Sequence, residues 1–320
     1  MKFYPIQFEP ILKERIWGGS QLKNLLNKPI LSDKTGESWE ISSVPNDVSI
    51  VSNGCYQGIS LNDLIAEFPK ELLGSKVFEK FGNQFPLLFK FIDAREDLSI
   101  QLHPNDELAR KRHNSFGKTE MWYVMHAEEG SRMIVGFKKT SSPEEYVHHL
   151  TNKTLLSILD VKEVKKGDVF FLETGTVHAI GAGILVAEIQ QTSDITYRIY
   201  DFDRVDAEGN QRELHIDLAL DAINYDVVEV EKQYDTMVNQ SNNIVDCPYF
   251  TTNSISLDGT IEKSVNSDSF TVLMTVEGDF SLIMNGDKYN YSVGDTILLP
   301  AGSPPFELIG NASLLEIYIK

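Results

Sequence analysis

Cysteine, histidine and positive charge are all in short supply in this 320-residue chain, and no apolar run approaches the length of a membrane-spanning helix. The two cysteines, Cys55 and Cys247, stand far apart, in neither a Cys-x-x-Cys pair nor a dense framework. That spacing excludes a disulfide scaffold and fits a reducing compartment with free thiols. Lys and Arg number 29 against 47 Asp and Glu, a net charge of −18 that repels phosphate backbones and anionic headgroups unless a local basic patch overcomes it. Nucleic acid and membrane are therefore poor partners. The opening Met1-Lys2-Phe3-Tyr4-Pro5 lacks the apolar core of a secretory signal, so a soluble cytoplasmic protein is expected, monomeric or weakly self-associating.

What the chain does have is apolar content, 42% of its residues, enough at this length for two or three packed units. Between Pro86 and Gly136 the pattern is a succession of β runs, LLFKFIDA, LSIQLHP, MWYVMHA and RMIVGF, with charged or Gly-bearing turns between them, the punctuation of a jelly roll. Leu61 to Phe81 has helical spacing interrupted by Pro69, which predicts two short helices. Ser142-Pro143-Glu144-Glu145 supplies a cap, a first-turn proline and early acidic residues for a helix across Ser141 to Asp160, with strands resuming at Val169. A second helical stretch runs from His215 to Ile223.

A weak internal repeat organises these segments. Gly167-Asp168-Val169-Phe170-Phe171-Leu172 matches Gly294-Asp295-Thr296-Ile297-Leu298-Leu299 at an offset of 294 − 167 = 127, and Glu129-Gly130 matches Glu277-Gly278 at 277 − 129 = 148. The 21 extra residues of the first copy, 148 − 127, are close to the length of the helical insert. The expectation is a mainly β protein of two cupin-like jelly-roll units with a small helical insertion or connection, divided at 1–225 and 226–320. Adding 127 to His178 lands on Pro305, and no histidine follows His215, so the second unit is expected to lack a metal site and to pack against or cover the first.

Histidine occurs seven times, and two of the seven fall beside strand-ending turns where a barrel mouth would lie: His103 in LSIQLHPND and His178 in ETGTVHAI. Gln101 is two residues before His103, hence on the same face of a strand, and Glu120 opens the apolar strand EMWYVM. His126, His148, His149 and His215 read as surface or capping residues, and His113 as part of a solvated basic loop. Nitrogen and oxygen donors without thiolates suit zinc, manganese or ferrous iron, and two histidines with one carboxylate also describe an oxygen-activating iron site. An amide oxygen from Gln101 would fill a position that oxygen activation keeps open, which favours a redox-silent Lewis acid. Gln101 is equally compatible with a place just outside the ligand set.

Four motifs in this order, LSIQLHPND, GKTEMWYV, GTVHAIGAG and QQTSDITYRIYDFDR, with Trp17-Gly18-Gly19 and Gly36-Glu37-Ser38-Trp39-Glu40 before them, resemble the type I mannose-6-phosphate isomerases of the short bacterial form. The likeness covers most of the chain and weakens in the last third. It implies a cupin fold, one zinc ion per chain on Gln101, His103, Glu120 and His178, Arg198 as the active-site arginine, and interconversion of mannose 6-phosphate and fructose 6-phosphate through an enediol. Such a reaction requires an acid–base group, a cation at the developing oxyanion and an anchor for phosphate. Lys118 lies two residues before Glu120 and would share its pocket on a regular strand. Glu188 is the leading general-base candidate, because a carboxylate among apolar neighbours needs a polar cavity or a partner; an ion pair with Arg198 is the other reading. Asp194, Lys90 and Ser99 are candidate substrate contacts, and Trp17 a candidate cleft wall. An iron-dependent cupin oxygenase and a non-catalytic sugar-binding cupin remain the alternatives.

Overall fold

The computed structural model describes residues 1–206 and 209–320. Its first unit is two stacked antiparallel sheets. The larger has seven strands in the order Ile11–Gly19, Thr35–Ile41, Leu87–Ala94, Ile184–Gln191, Glu120–Ala127, Val169–Leu172 and Glu231–Lys232. The smaller has five, in the order Tyr197–Tyr200, Ile100–Leu102, His178–Ile180, Arg132–Phe137 and Leu159–Glu163. Side chains alternate across each strand, so Ile92 and Ala94, Trp122 and Val124, Ile184 and Val186 meet Met133, Val135 and Ile180 between the sheets. At one end of that inner face the same parity delivers Lys90, Glu120 and Glu188 in place of apolar residues. Residues 231–232, beyond the expected division at 225, complete the edge of the larger sheet.

The opposite parity of the larger sheet is just as apolar. Phe89, Phe91, Met121, Tyr123, Leu185 and Ala187 pack against the helical segment and the second unit in one continuous core that includes Leu64, Leu72, Val77, Phe270, Val272 and Ile317. Every residue of Leu87–Ala94 and of Ile184–Gln191 is buried for this reason. The helical segment forms three helices rather than two, Leu61–Glu67, Pro69–Leu73 and Ser75–Phe81. Pro69 starts the second helix. Gly74 starts the third at φ +93, where a side-chain carbon would lie 2.3 Å from the backbone of Asp268.

The helix at Pro143–Thr151 begins as expected, with the Ser142 hydroxyl accepting from the Glu145 amide, but it does not reach Asp160. Lys153 adopts φ +56, and Leu159–Glu163, buried at Leu159 and exposed from Val161 onward, pairs with Arg132–Phe137 as an edge strand. Strands therefore resume ten residues before Val169. The helix within 215–223 is confined to Ile216–Leu220.

The second unit is a sheet ordered Ser241–Asp246, Thr251–Lys263, Phe306–Tyr318, Thr271–Met284 and Asp287–Ser292, with Thr296–Leu299 also pairing with Thr271–Met284. A register shift between Thr275 and Glu277, followed by Gly278 at φ +72, bends its long strand. The repeat is visible in hydrogen bonds. Gly167 donates to the Val124 carbonyl at 2.8 Å and Val124 to that of Asp168 at 2.9 Å; Gly294 donates to Thr275 and Thr275 to Asp295, both at 2.9 Å. The two glycines have φ +91 and +92. Leu172 stands opposite Glu120 and Leu299 opposite Thr271, so Thr271 holds the place that Glu120 holds in the first unit.

Candidate active site

Strand register explains how distant residues converge. Gln101 lies between His178 on one neighbouring strand and Arg198 on the other. Glu188 lies between Lys90 and Trp122, and Glu120 opposite Gln190. His103, Glu120 and His178 bring one ligand atom each to within 4.8 Å of one another, all three residues buried. His178 Nδ1 donates to the Thr176 carbonyl at 2.9 Å, and His103 Nδ1 to that of Ile195 at 2.8 Å. These bonds place both protons on Nδ1 and turn both Nε2 lone pairs toward Glu120, 3.4 Å from His178 and 3.6 Å from His103.

The donor set fits a divalent cation. Oε1 of Glu120 and Nε2 of His178 are buried without a hydrogen-bond partner among the described residues, an expensive state for polar atoms unless a cation satisfies them, while Oε2 of Glu120 faces the Lys118 ammonium at 2.7 Å. Burial, with His103 and Lys118 adding to it and Glu120 opposing, pushes His178 down to about 3, and His103 is lowered by burial and Lys118; both present neutral, ligating imidazoles. Burial works to raise Glu120, but Lys118 and the two histidines outweigh it and hold the carboxyl well below the usual range. Gln101 lines the adjoining cavity and accepts from the Ser99 hydroxyl at 3.3 Å.

Lys118 sits in irregular chain just before the strand that starts at Glu120, rather than inside it. Its ammonium is 2.7 Å from Glu120 Oε2, 3.1 Å from His103 Nε2 and 3.8 Å from Glu188 Oε1. Glu188 pairs with Lys90 at 3.1 Å and accepts from the Trp122 indole at 2.8 Å; its charge partners are these lysines and not Arg198. Lys90 is also 3.9 Å from Glu37, which accepts from Trp39 at 2.6 Å and from Arg15 at 2.7 Å. Burial raises Glu37, yet Lys90 and Arg15 prevail and bring it down to about 2.

Above this layer opens a cavity of about 620 Å³ whose wall includes Trp17, Lys90, Ser99, Gln101, Lys118, Glu188, Asp194 and Arg198. Arg198 is half-buried, donating through Nε to Ser99 at 3.3 Å and through a terminal nitrogen to the Glu213 carbonyl at 2.9 Å. Burial, reinforced by Arg212, lowers its guanidinium from the ordinary value. His215 stands at the N-cap of the Ile216–Leu220 helix, partly buried: its Nδ1 accepts from the Arg198 amide at 3.1 Å, and its own amide donates to the Arg198 carbonyl at 2.7 Å. Asp194 is exposed at the rim.

Four further wall residues, Lys13, Arg15, Trp39 and Arg212, escaped the sequence reading. Lys13 and Arg15 share period-2 spacing with Trp17, a signal that was available. Arg212, anchored on Asp201 at 2.5 and 2.7 Å, had none. Lys13, Arg15, Lys90, Lys118, Arg198 and Arg212 thus line the cavity beside five acidic residues, Glu14, Glu37, Asp47, Glu188 and Asp194, a far more balanced charge than the strongly acidic chain as a whole. Arg198, held by a hydroxyl and a backbone carbonyl rather than by a carboxylate, is the cation best placed to meet an anion.

Fold and site together define a cupin with a candidate metal centre joined to a cavity lined by charges of both signs. The family description "Phosphomannose isomerase type I, catalytic domain" matches residues 6–142, and "Mannose-6-phosphate isomerase, cupin domain" matches 240–319. A mannose-6-phosphate isomerase of Bacillus subtilis is 37% identical over 98% of this chain and 99% of its own, and one of Streptococcus mutans is 34% identical over 97% of both. The crystal structure of a mannose 6-phosphate isomerase from Bacillus subtilis superposes with a TM-score of 0.90 at 34% identity, covering 98% of this chain and 99% of that one. The chain belongs to the type I mannose-6-phosphate isomerase family.

Proposed function

We propose that the protein interconverts mannose 6-phosphate and fructose 6-phosphate, with one zinc ion held by Gln101, His103, Glu120 and His178. The observation that carries this reading is the buried His103–Glu120–His178 cluster, with Glu120 Oε1 and His178 Nε2 unpartnered among the described residues, joined through Gln101 and Lys118 to a cavity whose lining includes six basic side chains. Relatives of full length bear the name of this activity. Residues 1–225 contain all of the proposed catalytic and ligand residues, and 226–320 none.

The aldose–ketose shift moves one proton from C2 to C1 and one from O2 to O1, with no net oxidation. Zinc, when bound, supplies positive charge that stabilises the oxyanion of the enediol. Glu188 is assigned as the base that takes the C2 proton and returns it to C1; the Trp122 indole on Oε2 and the Lys90 ammonium 3.1 Å from Oε1 fix its carboxylate. The Lys118 ammonium donates to the substrate oxygens as charge develops, and its neighbours Glu120 and Glu188 keep it protonated by outweighing the effect of burial. Arg198 presents a planar fork suited to phosphate, with Lys90 and Ser99 as further contacts, Asp194 as a substrate-side group that orients the surroundings of the arginine, and Trp17 as an apolar wall that excludes water. Cys55 and Cys247 are unpaired thiols, in keeping with a cytoplasmic enzyme acting on a free metabolite.

Chelated protein and zinc-restored protein incubated with mannose 6-phosphate test the assignment. Fructose 6-phosphate should form only after zinc is restored, and its absence from both samples would overturn it. An anomalous-scattering peak at the zinc edge among the four residues is the expected companion result; a peak elsewhere removes the ligand assignment.

A further inference from the structure

The segment Gly117-Lys118-Thr119 lies outside any strand, so its peptide groups have no ladder to satisfy them. It nevertheless carries Lys118, whose ammonium must stay within hydrogen-bond reach of Glu120 and His103. Apart from the Lys118 amide, which donates to the Pro104 carbonyl at 3.4 Å, its hydrogen bonds run to Asp106 and Gln191. Asp106 Oδ1 accepts from the Gly117 amide at 2.8 Å and from Gln191 Nε2 at 3.1 Å. Gln191 Oε1 accepts from the Thr119 amide at 2.9 Å, and the Gln191 amide donates to the Thr119 carbonyl. The chain passes so close to the start of the Asp106–His113 helix that a side-chain carbon on Gly117 would lie 2.7 Å from the Asp106 amide nitrogen.

The remaining oxygen of Asp106, Oδ2, is taken by a residue from the other unit: the Tyr249 hydroxyl donates to it at 3.0 Å. Tyr249 stands on a tight turn closed by the Cys247 amide donating to the Phe250 carbonyl at 3.1 Å. That turn is held on both sides, by Phe250, buried against Phe171, and by Lys80, which donates to the Pro248 carbonyl at 2.9 Å. Burial and the Asp106 carboxylate push the Tyr249 phenol up to about 12, so it remains a donor across the physiological range.

We infer that Tyr249 is a positioning residue for Lys118: the second unit fixes the Asp106 carboxylate through the Tyr249 hydroxyl, and Asp106 with Gln191 fixes the peptide from which Lys118 reaches the reacting centre. The second unit is then a working part of the active site although it contributes nothing to the cavity wall. This rests on the isomerase reading, but the brace itself can be measured without activity.

The experiment uses zinc-loaded full-length protein and the variants Tyr249→Phe, Asp106→Asn and, as a control, Tyr291→Phe, whose hydroxyl is buried in the second unit without a partner among the described residues. Hydrogen–deuterium exchange in a peptide spanning residues 115–121 should rise in Tyr249→Phe and Asp106→Asn and stay at the parent rate in Tyr291→Phe. In the same samples kcat for mannose 6-phosphate should fall roughly ten- to a hundredfold for the first two, with KM changed less than about twofold, because a displaced Lys118 loses transition-state contact while the phosphate anchor is untouched. Parent-like exchange in Tyr249→Phe overturns the brace. Faster exchange with an unchanged kcat overturns its role in positioning Lys118. An inactive parent in which Tyr249→Phe still raises the exchange would instead remove the isomerase reading and leave the brace standing.

Discussion

Lys118 and a bound cation are alternative ways of neutralising Glu120, and this makes the consequence of removing Lys118 depend on metal. In Lys118→Met the ammonium 2.7 Å from Glu120 disappears from a site only 5% exposed, and the side-chain volume is nearly kept. Breaking a buried ion pair from one side costs about 3–5 kcal/mol, because the remaining carboxylate is left without a counter-charge. Protonation of Glu120 sets the ceiling on that cost. At roughly 2–4 °C per kcal/mol, the metal-free variant should melt on the order of 10 °C below metal-free parent. With zinc loaded, the cation takes over the compensation, and the gap should shrink to half or less. Activity should not recover, since the proposed proton and oxyanion chemistry has lost its donor; kcat should remain down by about a hundredfold or more. Differential scanning calorimetry of both proteins, chelated and zinc-loaded, with parallel assays, reads all four numbers. A gap of equal size with and without zinc would refute the reasoning, because it would mean that Lys118 and the metal do not share Glu120.

Glu37, brought down to about 2, stabilises the fold at any pH above its ordinary value of 4.5, and that contribution is lost as pH falls from 4.5 toward 2; the difference of about 2.5 units corresponds to about 3 kcal/mol. The stability gap between parent and Glu37→Gln, measured by urea unfolding, should therefore narrow across that window, and a constant gap would contradict the assignment. Arg198→Lys keeps the charge but loses the fork that reaches Ser99 and Glu213, and kcat/KM for mannose 6-phosphate should fall at least about tenfold, with parent-like values counting against a bidentate role. Tyr291→Phe removes a buried hydroxyl that has no partner among the described residues, so its melting point should match or exceed the parent's by up to about 1 kcal/mol of stability; a clear loss would show that the hydroxyl is satisfied after all.

The alternation of LLFKFIDA, MWYVMHA and RMIVGF was enough to read a jelly roll, since a half-buried strand writes its period directly into its residues. The Gly-Asp repeat was readable for a similar local reason: a tight turn at φ near +90 demands glycine in both copies. His103, Glu120 and His178 announced themselves by sitting at strand ends next to turns. What could not be read was register. Whether Glu188 meets Arg198 or Lys90 depends on how three strands distant in sequence slide past one another, and no local pattern encodes that. The helix across 141–160 was overextended because the alternating LDVKE that follows it is too short to stand out from helical spacing. Arg212 and Tyr249 leave no such mark, because each is placed by a carboxylate that no periodic pattern links to it, Asp201 across an irregular loop in one case and Asp106 from the other unit in the other.

The core that the two units share has a consequence for how the protein is made. The back of the seven-stranded sheet, with Phe89, Phe91 and Met121, is covered in part by Phe270, Val272 and Ile317, which are synthesised last. At ribosomal speeds of 5–20 residues per second, the roughly 80 residues from 241 onward take about 4–16 s to appear. During that interval a catalytic sheet can be formed while part of its aromatic back stands open to water and to neighbouring chains. Holdase chaperones should therefore engage nascent chains in a window that opens after residue 191 and closes with the strand at 306–318, a window that ribosome profiling of chaperone-bound chains would locate.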